Sequence, residues 1–262
     1  MTVFSSRINS GNGFDKNRMP QHVAFIMDGN GRWAQHRKLG RIEGHKRGRE
    51  AVKTVVDTCC EVGIAYVTLY AFSTENWQRP QNEVRALMTL LQRYLRTELP
   101  QMMEKNIRLR AIGDLDRLPL PVRQSLDHVM HATAHNTGLT VILALSYGGR
   151  EEIVHAARSL ALAVSQGALE PHQIDEQRFT AALWTADIPD PDFLIRTSGE
   201  FRLSNFLLWQ LAYTELYVTE TFWPDFTRQE FLHALADYQN RERRFGRTAE
   251  QQSARTLKRV AR

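Results

Sequence analysis

The sequence has few cysteines and no long apolar segment. Its two cysteines, Cys59 and Cys60, are adjacent in a chain of 262 residues, so neither a disulfide framework nor the spacing of a zinc site is present. The longest apolar run, residues 139–145, is far shorter than the roughly 20 residues of a membrane-spanning helix. Residues 1–17 lack the apolar stretch of a signal peptide. We therefore expect a cytoplasmic protein that does not cross a membrane.

The composition is that of an ordinary globular protein. Hydrophobic residues make up 42% and charged residues 24% of the chain, which argues against extended disorder and against a coiled coil. The 34 basic and 29 acidic residues leave a net charge of +5. This modest excess suits anionic substrates, an anionic membrane surface or nucleic acid, and by itself names no function.

Short apolar runs alternate with long amphipathic stretches from residue 19 onward, a pattern typical of helices that cover both faces of a mostly parallel sheet. The predicted strands span residues 22–27, 66–71, 107–112, 139–145, 193–196 and 215–218. The predicted helices span residues 45–62, 82–104, 121–135, 150–166, 175–184 and 228–240. The sequence thus predicts one α/β domain over residues 19–247, between a flexible polar leader (1–18) and a basic polar tail (248–262).

Ligands of such sheets bind at the carboxyl ends of the strands. The first predicted strand runs directly into residues 28–34, with the sequence DGNGRWA. Glycines allow a close approach to an oxyanion, and Arg32 adds a forked donor. Asp28 is a hard oxygen ligand of the kind that binds Mg²⁺ together with substrate phosphates. Taken alone, residues 28–31 are better explained as an ordinary turn.

Three further segments carry candidate chemistry. Residues 37–48, RKLGRIEGHKRG, cluster cations, and their glycines would weaken a helix without a purpose such as diphosphate binding; a solvated charged face is the usual alternative. Residues 71–80, AFSTENWQRP, form a polar loop that could close over a substrate or be an ordinary capped connection. Arg196 ends a predicted strand, and Arg202 and Ser204 follow in the loop beyond it.

Four motifs in one order resemble the undecaprenyl diphosphate synthase family of cis-prenyltransferases: DGNGRWA at 28–34, FSTENW at 72–77, IRTSGE at 195–200 and SNFLLWQ at 204–210. The resemblance covers about residues 19–247. It implies a Mg²⁺-dependent homodimeric α/β enzyme that adds isopentenyl diphosphate units in cis geometry to farnesyl diphosphate. The growing chain would occupy a hydrophobic tunnel. The product would be a long polyprenyl diphosphate of the undecaprenyl class, the precursor of the lipid carrier of bacterial cell-wall synthesis.

The resemblance also assigns roles to individual residues. The catalytic candidates are Asp28 and Asn76, and the metal ligands would be Asp28 and Glu215. The allylic diphosphate would lie on Gly29, Asn30, Gly31, Arg32, Arg41 and His45. The isopentenyl diphosphate would be held by Arg196, Arg202 and Ser204. The remaining substrate-binding candidates are Trp33, Ser73, Thr74, Glu75, Trp77 and Arg79, with the two tryptophans lining the cleft.

Other features are compatible with this family. The apolar stripe of residues 82–104 would serve both core and tunnel, and Ala71 and Leu139 match positions that admit and limit a long chain. Ser146 stands where the family usually has Asn before Tyr-Gly-Gly-Arg, which puts the hydrogen bonding of that loop in question. The resemblance also suggests that residues 244–246 reach the partner subunit's site.

Three alternatives can be weighed from the sequence. A trans-prenyltransferase would have Asp-rich metal motifs on an all-helical fold, and no such motif occurs. A non-catalytic family partner would lack the loop aspartate, whereas Asp28 is present. Nucleic acid is not expected as a partner, because the basic residues lie among glycines and not along a helix face with stacking aromatics. Peripheral contact with the inner membrane face is expected only through the amphiphilic product.

Overall fold

The structure is a computed structural model that describes residues 14–241. Its strands form one parallel sheet in the order β3-β4-β2-β1-β5-β6. These strands are β1 (His22–Ile26), β2 (Tyr66–Ser73), β3 (Arg108–Ile112), β4 (Thr140–Tyr147), β5 (Phe193–Thr197) and β6 (Glu215–Thr219). The flanking helices are α1 (Asn30–His36), α2 (Arg41–Val62), α3 (Gln81–Glu104), α4 (Leu120–Ala132), α5 (Gly149–Ser165), α6 (Glu176–Ala181) and α7 (Arg228–Asn240). The predicted single α/β architecture is confirmed.

The predicted strands all exist, with ends that differ by at most two residues. The ends of the predicted helices differ more, by up to four residues. Helix α1 was not among the predicted helices, because seven residues are too few to show a helical repeat of apolar positions. Helix α2 begins at Arg41, four residues earlier than predicted, and α6 ends at Ala181, three residues earlier.

Alternate residues of each strand enter opposite faces of the sheet, as the pleat requires. On β1, Val23 and Phe25 pack into a large core with α2, α3, α4 and α7. Ala24 and Ile26 pack on the other face, against Phe206 and its neighbours. Both faces are therefore buried, which is why β1 reads as a continuous apolar run.

The glycines of the basic segment have a packing role that the sequence did not reveal. A Cβ atom added to Gly44 would lie 1.9 Å from the carbonyl oxygen of Asn30 on α1. One added to Gly48 would lie 2.4 Å from Asn30 Oδ1 and 2.9 Å from Trp223 Cδ1. The glycines thus let α2 cross closely over α1, and this contact fixes the start of α1.

The order of the strands fixes where a ligand can bind. After β1 the chain adds β2, β3 and β4 on one side of β1, with β4 inserted between β2 and β3. It then crosses to the other side of β1 and adds β5 and β6 there. The carboxyl ends of β1 and β5 are therefore a topological switch point, where open parallel sheets form their ligand crevice. Asp28 follows β1 there, and Arg196 lies near the end of β5.

A buried histidine ties three segments together at the amino end of β1. His22 Nδ1 lies 2.6 Å from the carbonyl oxygen of Pro189, and Nε2 lies 2.8 Å from Thr68 Oγ1. A carbonyl can only accept, so Nδ1 carries the proton and Nε2 accepts from the threonine. Burial lowers the pKa of His22 to about 4 and outweighs the opposing effects of the Pro189 carbonyl and Asp192.

We predict that His22 makes the stability of the fold depend on pH. Its folded pKa of about 4 lies below the ordinary 6.5, so the unfolded state binds more protons between these values. Stability present above pH 6.5 is then lost as the pH falls, by about 2 kcal/mol between pH 7 and pH 5. Urea unfolding at both pH values should show a smaller loss for His22→Asn than for the unaltered protein. Equal losses would contradict the prediction.

Candidate active site

The site is organised around the guanidinium of Arg196, whose residue is only 4% exposed. Its Nη2 donates to Asp28 Oδ2 at 2.9 Å, and its Nη1 donates to Ser204 Oγ at 2.9 Å. Nη1 also donates to the carbonyl oxygen of Arg202. One buried side chain thus joins the end of β1 to the loop that follows β5, and it brings together four residues that the sequence placed in one site.

Asp28 receives several donors. Its Oδ1 accepts from the backbone N–H of Gly29 at 2.6 Å, and its Oδ2 lies 3.3 Å from Arg32 Nη2. Gly29 has a φ of +100°, and a Cβ there would lie 2.7 Å from Phe222 Cδ1, so glycine is required for both reasons. Arg32 also pairs with Glu200 at 3.1 Å. The carboxylate of Asp28 remains about one-third exposed and faces the crevice.

A second cationic group lies beside the first turn of α1. A Cβ on Gly31 would lie 3.1 Å from Arg41 Nη2, so the guanidinium covers this glycine. Glu83 joins the group, because its Oε1 lies 3.5 Å from Arg41 Nε and 3.3 Å from Arg79 Nη1. The backbone N–H groups of a first helical turn lack intrahelical acceptors. Together these groups form a cradle suited to a phosphate group.

His45 stands between these cations as a neutral imidazole. Burial lowers the pKa of His45 to about 4, and the nearby Arg79 and Arg41 lower it further against the opposing effect of Glu83. Burial likewise lowers the pKa of Arg79, with Glu83 opposing and Arg41 reinforcing the shift. A neutral His45 can donate one hydrogen bond to an anion without bringing a charge of its own at neutral pH.

The polar segment after β2 forms a short 3-10 helix, Thr74–Gln78. Ser73 and Asn76 close a reciprocal capping box, in which Asn76 Oδ1 accepts from the Ser73 backbone N–H at 3.1 Å. Trp77 Nε1 donates to Ser146 Oγ at 3.0 Å. Ser146 therefore has a defined partner: its hydroxyl accepts the indole hydrogen bond at a position with φ of 48°.

Two expected positions differ in the structure. Trp33 was expected to line the cleft, but its ring is buried beside Asp225, to which Nε1 donates at 2.8 Å, and Arg37 covers its face. Glu215 was expected to share a metal with Asp28, but it begins β6 and pairs with Arg241 at 3.0 Å. Because the strands are parallel and Glu215 is in register with Phe193, it lies at the opposite edge of the sheet, and one chain does not bring it to Asp28.

A cavity of about 300 Å³ opens beside this group of residues. Asn30, His45, Asn76 and Arg79 are among the polar residues that line it, together with Arg49, Lys53, Asp57, Glu98, Gln101 and Lys105. Its walls are mostly apolar and include Leu69, Ala71, Leu87, Met88, Leu91, Leu95, Met102, Val141, Leu143 and Leu145. The predicted apolar stripe of α3 therefore lines this cavity as well as the core. Leu139 is buried in the core and is not among the described residues that line the cavity.

Several residues that shape the site were not predicted from the sequence. Glu83 holds both Arg41 and Arg79. Arg79 precedes α3 in extended conformation, so no helical spacing signalled its pairing with Glu83. Glu200 and Asn205 lie within recognised motifs, but their partners are distant in sequence. No local pattern predicts such contacts. Residues 244–246 lie outside the described residues.

Fold and site together define a class of α/β proteins suited to ligands with an anionic head and an apolar tail. The chain belongs to the isoprenyl transferase family, since the family model described as "Putative undecaprenyl diphosphate synthase" matches residues 26–246. The isoprenyl transferase of Heliobacterium mobile is 54% identical over 232 residues, 88% of this chain and 89% of that protein. The chain is therefore similar to that relative along nearly its whole length.

Two further similarities are informative. The Micrococcus luteus protein named ditrans,polycis-undecaprenyl-diphosphate synthase ((2E,6E)-farnesyl-diphosphate specific) is 46% identical over 235 residues, 90% of this chain and 94% of that one. The crystal structure of lavandulyl diphosphate synthase from Lavandula x intermedia, in complex with dimethylallyl diphosphate, matches with a TM-score of 0.86 at 40% identity. That match covers 88% of this chain and 99% of the other.

We predict that Gly44→Ala disturbs the phosphate cradle through the contact between α2 and α1. Alanine would normally stabilise a helix interior by about 1 kcal/mol relative to glycine, but here its methyl group would overlap the Asn30 carbonyl. Calorimetric titration with inorganic diphosphate and a thermal melt should show weaker binding and a lower Tm.

The matched control is Gly40→Ala, because a Cβ at Gly40 meets nothing within 4 Å. It should change both quantities little. A Gly44→Ala protein that is as stable as the control and binds diphosphate equally well would contradict the proposed role of the α1–α2 contact.

Proposed function

We propose that the protein condenses isopentenyl diphosphate with farnesyl diphosphate in successive cis additions to give a long polyprenyl diphosphate. The observation that carries the proposal is the meeting of two cationic loops at Asp28, beside a cavity with apolar walls. One loop suits the diphosphate of the allylic substrate and the other that of isopentenyl diphosphate. The similar enzymes named for farnesyl diphosphate and crystallised with dimethylallyl diphosphate support this assignment.

The allylic substrate is placed with its diphosphate on the first turn of α1. Gly29 and Gly31 allow close approach of the backbone, Arg32 and Arg41 supply charge, and neutral His45 donates a hydrogen bond. The farnesyl tail then enters the cavity, which His45 lines. Asn30 and Arg79 also line the cavity and are proposed to orient the reacting carbon.

Isopentenyl diphosphate is placed on Arg196, Arg202 and Ser204. Arg202 is 60% exposed at its side chain and pairs with Glu200 at 2.5 Å, so it can turn toward a phosphate. Arg196 is already fixed by its contacts with Asp28 and Ser204. A preorganised guanidinium loses little conformational entropy when the anion binds.

The donors present fit a Mg²⁺ ion shared with substrate. Among residues 14–241 no cluster of three or more His, Cys, Asp or Glu side chains could hold a metal by itself. Mg²⁺, however, is commonly bound by one or two carboxylates together with substrate phosphates and water. Asp28 offers one partly exposed carboxylate between the two proposed diphosphate positions. When bound, Mg²⁺ would supply charge stabilisation for the departing diphosphate.

The reaction breaks the allylic C–O bond, and the diphosphate leaves with the bonding electron pair. The isopentenyl double bond attacks the allylic carbon to form the new C–C bond, and loss of a proton creates the new double bond. Arg32, Arg41 and Arg196 stabilise the charge that develops on the phosphate oxygens. The geometry of the new double bond depends on how the two loops orient the substrates.

We propose a homodimer in the cytoplasm that contacts the membrane only through its product, which would serve bacterial cell-wall synthesis as a lipid carrier precursor. None of the helices within residues 14–241 is long and apolar enough to span a bilayer.

We predict that Asp28→Asn lowers turnover by at least about 100-fold, because the neutral amide cannot hold a cation between two diphosphates. The measurement is incorporation of radiolabelled isopentenyl diphosphate with farnesyl diphosphate, with and without Mg²⁺. The unaltered protein should require the metal.

Asp116→Asn is the control, since Asp116 is exposed and pairs only with Arg123 among the contacts described. It should leave turnover unchanged. An unaltered protein that binds both diphosphates yet incorporates none would instead indicate a partner-dependent subunit.

We predict that Ala71→Leu shortens the product, because Ala71 lines the cavity at the end of β2 and a larger side chain would block the growing chain. Mass spectrometry of the products should show a shift to fewer isoprene units. Ala181→Leu, an exposed position on α6, is the matched control and should leave the product distribution unchanged. Identical distributions for both variants would show that Ala71 does not limit growth.

A further inference from the structure

Asn205 contacts two separate segments of the site, the start of α5 and the segment after β2, although nothing in the sequence singled it out. Its backbone carbonyl accepts from the N–H of Gly149 at 2.6 Å, and its Oδ1 accepts from the N–H of Arg150 at 2.9 Å. These two donors open α5 and lack intrahelical acceptors. Asn205 therefore caps α5 from a distant part of the chain.

The amide nitrogen of Asn205 donates two further hydrogen bonds. Its Nδ2 donates to Glu75 Oε1 at 3.1 Å and to Glu151 Oε2 at 3.0 Å. Thr74 Oγ1 donates to the other oxygen of Glu151 at 3.2 Å. The two hydrogens of one amide group thus hold two carboxylates together, one from the segment after β2 and one from the first turn of α5.

The packing around this contact leaves no spare space. A Cβ added to Gly148 would lie 2.1 Å from Glu151 Oε2, 2.7 Å from Asn205 Nδ2 and 2.8 Å from Thr74 Oγ1. Gly148 has a φ of −153°, so its backbone would tolerate any residue and only the space requires glycine. The three side chains are therefore packed closely around Gly148.

The backbone at Asn205 adjoins a proposed substrate ligand. Ser204 and Asn205 both adopt left-handed conformations, with φ of 50° and 61°. Such conformations in non-glycine residues persist where surrounding contacts enforce them. Tyr70 adds to these contacts, because its ring stacks on Phe206 at 4.3 Å and its hydroxyl lies 3.4 Å from the Ser204 carbonyl oxygen.

Glu75 is an ionised acceptor in this arrangement. Partial burial raises the pKa of Glu75, but hydrogen bonds from Ser73, its own backbone, Asn205 and Thr74 outweigh it, so the pKa lies below its ordinary value. A carboxylate with a lowered pKa accepts strong hydrogen bonds from an amide at neutral pH. A carboxylate in place of the Asn205 amide would instead repel both neighbours.

We propose that Asn205 is a positioning residue that couples the loop carrying Arg202 and Ser204 to the segment 73–79, so that both close on isopentenyl diphosphate together. The inference rests on the proposed function for the identity of that substrate. Asn205 itself touches no reacting atom in this account. It acts through the backbone of Ser204 on one side and through Glu75 on the other.

The variant Asn205→Asp separates this role from helix capping. Its carboxylate still accepts from the Arg150 N–H, and negative charge at the start of α5 is favourable. These effects offset much of the repulsion from Glu75 and Glu151, so the Tm should fall only slightly. Asp also tolerates the left-handed conformation. Because both donated hydrogen bonds are lost, the KM for isopentenyl diphosphate should rise by about tenfold or more with a smaller change in kcat.

Rescue and control variants complete the test. Asn205→Asp combined with Glu75→Gln restores the donor–acceptor pair to the segment 73–79, with the donor now on the glutamine, and should bring the KM for isopentenyl diphosphate most of the way back. Asn106→Asp is the matched control, since Asn106 has a φ of 55° and donates from Nδ2 to Thr137 Oγ1 at 3.1 Å outside this site. It should leave the KM for isopentenyl diphosphate unchanged.

Hydrogen exchange followed by mass spectrometry supplies a readout that does not depend on turnover. Asn205→Asp should speed exchange of the amides in residues 73–79, whereas Asn106→Asp should not. The positioning role would be overturned if the unaltered protein is active and the Asn205→Asp variant has the same KM and the same exchange as the unaltered protein. Failure of the proposed function appears differently, as an unaltered protein that incorporates no isopentenyl diphosphate, and the substrate part of this inference would then fall with it.

Discussion

The site depends on one buried cation, the guanidinium of Arg196. A buried charge is costly unless it is paired and hydrogen-bonded, and Arg196 meets this requirement with the Asp28 carboxylate, the Ser204 hydroxyl and the Arg202 carbonyl. Its Nε is buried without a partner among the described residues. Because its hydrogen bonds reach Asp28, Ser204 and the Arg202 carbonyl, this one group holds the end of β1, the end of β5 and the following loop in one arrangement.

In the proposed function, this arrangement prepares two anion sites before any substrate binds. Asp28 is balanced by Arg196 and Arg32, and Glu83 and Glu200 balance the other arginines. Each carboxylate keeps its arginine oriented. The arginine can still exchange that carboxylate for a phosphate group of a substrate. The energy of reorganisation at the moment of reaction is thereby kept small. His45 is neutral chiefly because burial lowers its pKa, and the neighbouring Arg79 and Arg41 lower it further.

The sequence predicted the parallel α/β domain, because apolar runs and amphipathic stretches of distinct length mark strands and helices directly. It also predicted that Asp28, Arg196, Arg202 and Ser204 belong to one site, since each follows or ends a strand. It could not predict that Gly44 and Gly48 serve the crossing of α1 and α2, that Trp33 turns away from the cavity, or that Glu215 lies at the opposite edge. These features depend on contacts between distant segments, and register along a strand decides the last of them.

The most direct test of the account is a crystal structure with isopentenyl diphosphate, Mg²⁺ and an unreactive thio analogue of farnesyl diphosphate. The account predicts one diphosphate on the first turn of α1, the other on Arg196, Arg202 and Ser204, and a metal on Asp28 between them, with the farnesyl tail in the cavity. A structure in which either diphosphate binds away from these loops, or in which Asp28 touches neither metal nor substrate, would contradict it.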